Sequence, residues 1–346
     1  MARVNAHELS VLCKQLATLI KAGIPLLQGL SLLSEQSENK TMTHALGQVR
    51  AALTNGASLG EALGERPDVF PVLFVNMVKS GEIGGALEYV FEQLGQNMQR
   101  EWEFAAKIKS AMLYPLLVVL IALTSALVML VFVVPQFVLI LNSLAAPLPL
   151  TTRFLIGLSN GLRVYWYLVP CGVAAAIFIG RKLLFSAGGR RHAARLSLKI
   201  PLWGKLVQKL IMMRFCRSLS ALLQAGVPIL QALEVVRGLI GNHLVTESIR
   251  SVEESIKEGG GLAAPLGRGG VFPPLVVQMI AVGEETGAVD QLLEQVAAFY
   301  EQEAGETAAR LSALVEPALI IGVGGFVAFI VLSVMLPVLT IINYIE

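Results

Sequence analysis

The spacing of apolar residues near the start of the chain follows one face of an α-helix. Apolar residues recur at intervals of one, three or four, at Leu9, Leu12, Leu16, Leu19 and Ile20. The second half of the chain repeats this spacing at Leu219, Leu222 and Leu223. Such a period is typical of an amphipathic helix, and the sustained period-two alternation of a half-buried strand does not occur. The pattern predicts an all-α protein.

The amphipathic pattern belongs to a duplicated unit. The segment 12–33 returns as 215–236, with nine of its twenty-two residues identical. The most similar stretch contains Gly23 and Pro25 in the first copy and Gly226 and Pro228 in the second. Each glycine suits the positive φ that ends a helix, and each proline suits the first turn of the next helix. Each copy is therefore predicted to begin with a helical hairpin.

A second shared motif lies further along each copy. Phe70-Pro71 matches Phe272-Pro273, and a Gly-Glu-x-x-Gly motif follows. Its residues are Gly81, Glu82 and Gly85 in the first copy and Gly283, Glu284 and Gly287 in the second. The final glycine permits a turn before an apolar helix that leads towards a membrane span. The Gly- and Pro-containing segments 54–68 and 258–271 predict loops with one short helical turn.

Two interpretations of Glu82 and Glu284 remain open at this stage. We expect both glutamates at the start of a helix, where the exposed N–H groups and the helix dipole favour a carboxylate. The alternative is a corner that binds a partner or a cation together with neighbouring acidic residues, which are Glu88, Glu92, Glu285 and Asp290. The two roles are compatible with each other.

Long apolar runs predict three transmembrane helices. Residues 111–141 contain no charged residue, and residues 311–345 contain one, Glu316, near the start of the run. Both runs exceed the roughly 20 residues that span a bilayer. A third run, 164–180, lies between aromatic residues and Arg181-Lys182. It also supplies the second crossing that two copies on the same side of a membrane require.

Basic residues flank the ends that we assign to the cytoplasm, where Lys and Arg are enriched. We expect a cytoplasmic N-terminus without a cleaved signal peptide, and a periplasmic C-terminus. The predicted organisation is a cytoplasmic helical domain at 1–110, a span at 111–142, a periplasmic loop with an interfacial helix at 143–163, a span at 164–186, a second cytoplasmic helical domain at 187–310, a span at 311–343 and a tail at 344–346.

Prolines occupy matching places in the first and last spans. Pro115 and Pro135 match Pro317 and Pro337. Each removes a helical hydrogen bond and predicts a bend, which is either a packing kink or part of a groove for another transmembrane helix. Glu316, directly before Pro317, is either an interfacial residue or a contact with a partner helix.

Composition narrows the function classes. The chain is 55% hydrophobic and 15% charged, with a mean hydropathy of +0.67 and a net charge of +2. These values favour a membrane protein and argue against a nucleic-acid partner. The sequence has no phosphate-binding loop, no metal-ligand spacing among its four histidines and three cysteines, and no hydrolase motif. We expect no cofactor, no metal and no enzymatic activity, with Cys13 and Cys216 buried in helices.

The chain resembles the F protein of type II secretion systems and the PilC-type platform protein of type IV pili. The matching features are the repeated hairpin motif, the Phe-Pro motif and the Gly-Glu-x-x-Gly motif, in that order, together with three spans. The resemblance covers nearly the whole chain. It implies a bacterial inner-membrane platform protein that contacts a hexameric cytoplasmic assembly ATPase. It also implies that the membrane part receives pilin or pseudopilin subunits and contacts other inner-membrane components of the machine.

The resemblance leaves several points open. Pilus and secretion machines are not distinguished, and neither are a moving platform and a static scaffold. Gly322, Gly324 and Gly325 permit close helix approach and suggest a homo-oligomer. A small-solute transporter is the alternative, because internal repeats and broken spans occur there too. The large soluble part of each copy, and spans without an ionisable residue near the midplane, argue against that alternative.

Overall fold

A computed structural model describes residues 4–136, 150–164 and 201–345 of the chain. Within these ranges every regular element is a helix, which confirms the predicted all-α class for the described part. The first copy contains α1 (Ala6–Lys21), α2 (Leu26–Gln36), α3 (Lys40–Thr54), α4 (Leu59–Gly64), α5 (Val72–Ile83) and α6 (Leu87–Val128). A π-helical turn (Met129–Val133) and α7 (Leu150–Val164) follow.

The second copy repeats the first helix by helix. Its elements are α8 (Pro201–Gln224), α9 (Ile229–Leu239), α10 (His243–Lys257), α11 (Ala263–Arg268), α12 (Pro274–Thr286) and α13 (Val289–Ile345). The helices α2 and α9 have 11 residues each, α3 and α10 have 15, and α4 and α11 have 6. The short helices α4 and α11 fall inside the predicted loop segments. Equal lengths show that the duplication seen in sequence is also a duplication of structure.

The chain divides into two compact units. The first unit comprises Met1–Lys107 and Ala194–Thr307, and the second comprises Ile108–Ala193 and Ala308–Glu346. The first unit thus takes helices from both copies, whereas the sequence analysis assigned each copy a domain of its own. One continuous apolar core includes buried residues of both copies. Burial of this apolar surface is the main force that holds the first unit together.

The Phe-Pro motif contributes large side chains to that core. Phe70 and Phe272 are buried, and the prolines that follow them occupy the N-cap positions of α5 and α12. The ring of Phe272 meets that of Phe215 edge-on, with centroids 4.8 Å apart. Phe70 and Phe74 lie 5.3 Å apart in the first copy. Each motif therefore anchors the start of its helix by burying an aromatic ring directly before it.

The second unit contains apolar helical surface that is largely exposed. Two helices are long and apolar enough to cross a membrane, at Leu87–Gln136 and Val289–Ser333, among the described residues. Only 11% and 6% of the most apolar 18-residue stretch of each are buried, so neither resembles the core helix of a soluble protein. The predicted span at 164–186 lies outside the described residues apart from Val164.

The π-helical turn explains one contact of the second unit. The amide of Val134 donates to the carbonyl of Met129, and Pro135 has no N–H. The carbonyl of Leu130 therefore loses both amides that would reach it along the helix. The buried hydroxyl of Ser159, on α7, donates to this carbonyl at 2.7 Å. Helix α7, which we expected as an interfacial helix, is thus fixed to the end of an apolar helix.

Candidate functional site

Each Gly-Glu-x-x-Gly motif forms a corner between two helices. Glu82 lies in the last turn of α5, and Glu284 lies in the last turn of α12. The expectation that these glutamates begin a helix is wrong. The chain turns only after them, where Gly85 and Gly287 adopt positive φ angles of 66° and 70°. A left-handed residue is needed to end one helix and redirect the chain into the next, and glycine adopts it without strain.

The two glutamates cap a different helix from the one expected. The carboxylate of Glu82 accepts hydrogen bonds from the amides of Leu59 and Gly60, at 2.7 and 3.0 Å. In the second copy, Glu284 accepts from the amides of Leu262 and Ala263, the latter at 3.0 Å. These amides begin the short helices α4 and α11. The capping chemistry is therefore as expected, but it joins residues that lie 21 to 23 positions apart in sequence, on two different helices.

The first glycine of each motif allows two helices to approach closely. A Cβ atom added to Gly81 would lie 2.6 Å from a methyl carbon of Val90 on α6. A Cβ added to Gly283 would lie 2.7 Å from the Cα of Val289, at the start of α13. Real Cβ atoms do not approach other atoms so closely, so a larger residue would push the helices apart. The three residues of the motif thus close one helical corner in each copy.

The two corners differ in how the short helix is capped. In α4, Ser58 and Glu61 form a capping box, and Glu82 adds its two hydrogen bonds. In α11 the N-cap residue is Leu262, whose side chain has no oxygen. Glu284 therefore serves the two amides equivalent to those that Glu82 serves, and the N-cap residue of α11 makes no side-chain hydrogen bond that would replace the one from Ser58. Hydrogen bonds from Ser58, the backbone amide first, lower the pKa of the Glu61 carboxyl.

The remaining acidic residues of the corners do not gather into a cation site. Among the described residues, no group of three or more His, Cys, Asp or Glu is placed to hold a metal ion. Glu88 lies 3.7 Å from the ammonium of Lys21 in an exposed ion pair. The backbone carbonyl of Asp290, rather than its side chain, accepts a hydrogen bond from Ser220.

The hairpin motif forms the turn between the first two helices of each copy. Gly23 and Gly226 have φ angles of 76° and 77°, and Pro25 and Pro228 occupy the N-cap positions of α2 and α9. The turn of the second copy contacts α5 of the first copy, because the hydroxyl of Ser80 donates to the carbonyl of Ala225 at 2.7 Å. This hydrogen bond joins the two copies within the first unit.

The proline positions of the spans lie inside long helices. Helix α6 continues through Pro115, which is buried, and α13 continues through Pro317 and Pro337. Pro135 follows the π-helical turn. Glu316 is exposed on α13. The roles of these positions in a bend or a groove stay predictions.

Cys13 and Cys216 are buried as expected, and burial raises the pKa of both thiols far above its usual range. A buried neutral thiol is a poor nucleophile, so these cysteines serve as apolar core residues.

Sequence reasoning missed Ser80 and Ser159, which carry the long-range hydrogen bonds described above. It also missed Asn39 and Asn242, whose side chains cap α3 and α10 at equivalent positions of the two copies. The asparagines were available as a signal, because each precedes a helical pattern at the same place in the repeat. The serines offered none, since their partners are distant carbonyls.

Comparisons with known proteins match both copies. The model of the family described as type II secretion system (T2SS), protein F, matches residues 12–135 and 215–337. The type IV pilus assembly protein PilC of Thermus thermophilus is 40% identical over 97% of this chain and 83% of its own length. The type II secretion system protein F of Aeromonas hydrophila is 33% identical over 99% of this chain and 88% of its own length.

The type IV pilus assembly protein TapC of Aeromonas hydrophila is 32% identical over 97% of this chain and 82% of its own length. Relatives named for pili and relatives named for secretion thus match at similar identity. The family match starts and ends inside each structural copy, and it includes the hairpin motif and the glutamate corner of both. The chain belongs to the type II secretion system protein F family.

Proposed function

We propose that this chain is an inner-membrane platform protein of a type IV pilus or type II secretion machine. The observation that carries the proposal is the family match to both copies, at residues 12–135 and 215–337. Relatives with either name cover nearly the whole chain. The two exposed apolar helices support a place in the membrane. In this role the chain receives pilin or pseudopilin subunits and holds them for addition to a fibre.

A separate cytoplasmic ATPase supplies the energy in this proposal. The sequence has no phosphate-binding loop, so nucleotide hydrolysis requires a partner. The first unit, built from both copies, provides the surface that such a partner would contact. We propose that the glutamate corners act there by keeping α4 and α11 in place. Partner contact through the carboxylates themselves is the alternative.

The proposed topology has three crossings. The N-terminus and the first unit, with its helices from both copies, face the cytoplasm, and the C-terminus faces the periplasm. Maleimide labelling of single cysteines in intact cells tests this arrangement. A cysteine at Glu346 should react with a membrane-impermeant reagent, whereas one at Ser251, exposed in the first unit, should react only after lysis. Reaction at both positions in intact cells would contradict the topology.

Deletion of the gene, followed by complementation, tests the function. The account expects loss of a surface fibre or of a secreted protein, and restoration by the intact gene. Complementation with Glu82→Gln and Glu284→Gln together, and separately with Lys at both positions, distinguishes the two roles of the corners. If both pairs fold and both lose ATPase co-purification, the carboxylates contact the partner; if co-purification is lost only where the fold is lost, they act by capping α4 and α11. Retention of fibres and secretion after deletion would refute the function.

A further inference from the structure

The contact between the two copies inside the first unit uses one defined surface from each. Helix α5 of the first copy contacts α8 and α9 of the second. Ser80 ends a stripe on α5 with the spacing i, i+3, i+4 and i+7, which comprises Leu73, Asn76, Met77 and Ser80. The second copy contributes its hairpin turn, around Ala225, Gly226 and Val227. The Ser80 hydroxyl donates to the Ala225 carbonyl at 2.7 Å, and Met77 is completely buried. These two surfaces are called the stripe and the turn below.

Because the chain is duplicated, each copy has both a stripe and a turn. The second copy's stripe lies on α12, at Leu275, Gln278, Met279 and Val282, which match the four residues of α5 in order. This stripe is more exposed than that of α5: Leu275 is 37% exposed, Val282 is 47% exposed and Met279 is half-buried, whereas Met77 is buried. The residues are apolar at three of the four positions, so burial would be favourable.

The first copy's turn is uncovered as well. Ala22 is exposed and Ile24 is half-buried, whereas their equivalents Ala225 and Val227 in the second copy's turn are buried. The backbone of the two turns is nearly identical, since Gly23 and Gly226 have φ angles of 76° and 77°. One molecule therefore has a spare stripe and a spare turn whose equivalents already bind each other in the same protein.

We propose that a second copy of this chain occupies these surfaces, with the turn at 21–27 of one molecule packed against the α12 stripe of the next. The pairing repeats the internal contact of the first unit and is continuous with it. It is a heterologous interface, because different residues of the two molecules meet. Repetition of such a contact gives a closed ring, or a filament where it does not close.

Residues that differ between the spare surfaces and the internal stripe and turn support a second copy of this chain as the occupant. Lys21 stands where the second copy has Gln224, and Glu285 stands where α5 has Ile83. The turn thus gains a positive charge and the stripe gains a negative one, which favours their association. Val282 replaces Ser80, so the carbonyl of Ala22 loses its hydroxyl donor. The contact between molecules is therefore weaker than the one within a molecule and is reversible.

Cysteine cross-linking of the full chain in its native membrane tests the proposal. Two variants with different affinity tags, Ala22→Cys and Val282→Cys, are produced together and separately in a Cys171→Ala background. A short bis-maleimide should link the two variants when they are mixed and should give little product with either alone. Ser80→Cys with Ala225→Cys in one chain calibrates the yield, and Ser251→Cys, exposed on α10, is the control.

A charge exchange gives an independent readout. Lys21→Glu or Glu285→Lys should each lower the cross-linked yield roughly two- to five-fold, as expected for an exposed ion pair. Both substitutions in every molecule should restore it, because each glutamate then meets a lysine of the neighbour. Glu88→Gln controls for the loss of the Lys21–Glu88 pair.

Three results would overturn the proposal. One is no mixed product while the calibrating pair is linked. Another is a Val282→Cys product with itself that equals the mixed yield, which indicates a symmetric contact. The third is linkage of Val282→Cys to a different protein, such as an ATPase, in place of a second copy. Since the test scores proximity alone, it does not depend on whether the machine builds a pilus or a pseudopilus.

Discussion

Removal of one carboxylate, by Glu284→Ala, tests how the second corner is held together. The substitution leaves the amides of Leu262 and Ala263 without their acceptor. The equivalent change in the first copy, Glu82→Ala, leaves Ser58 still bound to the amide of Glu61. The structure therefore predicts a larger loss of local stability in α11 than in α4.

The magnitude follows from the two hydrogen bonds. Loss of a helix-capping side chain costs about 1 kcal/mol, and loss of the charge at a helix N-terminus adds about 0.3 to 1 kcal/mol. Loss of the second hydrogen bond to the charged group brings the total cost of Glu284→Ala to roughly 2 kcal/mol. The cost is no larger because the site is exposed, so water replaces part of the lost hydrogen bonding. For Glu82→Ala, with the capping box intact, we expect about 1 kcal/mol.

Hydrogen–deuterium exchange of the full chain in detergent measures these costs locally. A loss of 2 kcal/mol corresponds to about a 30-fold faster exchange of amides that open locally. The peptide covering 259–270 should show this in Glu284→Ala, and the peptide covering 57–66 should change about fivefold in Glu82→Ala. Glu285→Ala, a neighbouring exposed residue, is the matched control. Equal protection of 259–270 in Glu284→Ala and the control would refute the reasoning.

Three further predictions concern single positions. Gly81→Ala and Gly283→Ala should each destabilise the fold by roughly 1 to 3 kcal/mol through overpacking. The loss should be larger for Gly283→Ala, because the atom nearest to the added Cβ there belongs to the backbone. In the same chemical unfolding series, Gly47→Ala, in open space on α3, should stabilise the fold by about 0.5 to 1 kcal/mol. Ser159→Ala should lower stability by roughly 1 to 2 kcal/mol because it orphans a buried carbonyl; an unchanged thermal midpoint relative to Asn160→Ala would contradict this. The pKa of the Glu61 carboxyl is lowered in the folded protein, so its capping box stabilises α4 at a pH above the unfolded-state pKa, and this stabilisation is lost as the pH falls through the folded-state pKa. Hydrogen exchange of the α4 amides should therefore accelerate beyond the intrinsic pH effect between about pH 6 and 3. Glu61→Gln should abolish that pH dependence.

The helical class and the duplication could be predicted from sequence because they depend on local patterns. The spacing of leucines sets the helical face, and the Gly-Ile-Pro and Gly-Val-Pro turns encode their own backbone conformation at Gly23 and Gly226. The short helices α4 and α11 were likewise visible as Gly- and Pro-bounded segments. These features need no knowledge of what lies next to them in space.

The partners of the corner glutamates could not be predicted in the same way. Glu82 caps a helix that begins 23 residues earlier, and sequence spacing alone suggested the helix that follows. The identity of the capping group was right because any exposed helix N-terminus favours a carboxylate. Which N-terminus receives it is decided by the packing of α4 against α5, a tertiary contact.

The contact between Ser159 and Leu130 illustrates the same limit in the apolar helices. The sequence predicted a bend at Pro135 from its missing amide. It did not predict a π-helical turn that also displaces the amide of Val134, and so frees one particular carbonyl. Such a carbonyl needs a donor from elsewhere, and α7 provides it. A local pattern shows that a hydrogen bond is lost but does not show which side chain replaces it.

Co-purification from native membranes tests the central claim most directly. The tagged full chain is solubilised in mild detergent, isolated and analysed by mass spectrometry, with an unrelated tagged inner-membrane protein as the control. The account predicts an assembly ATPase and a pilin-like subunit among the specifically retained proteins, and the pilin-like subunit would assign the machine. Recovery of intact, folded chain with neither partner, under conditions that retain other membrane complexes, would contradict the platform role.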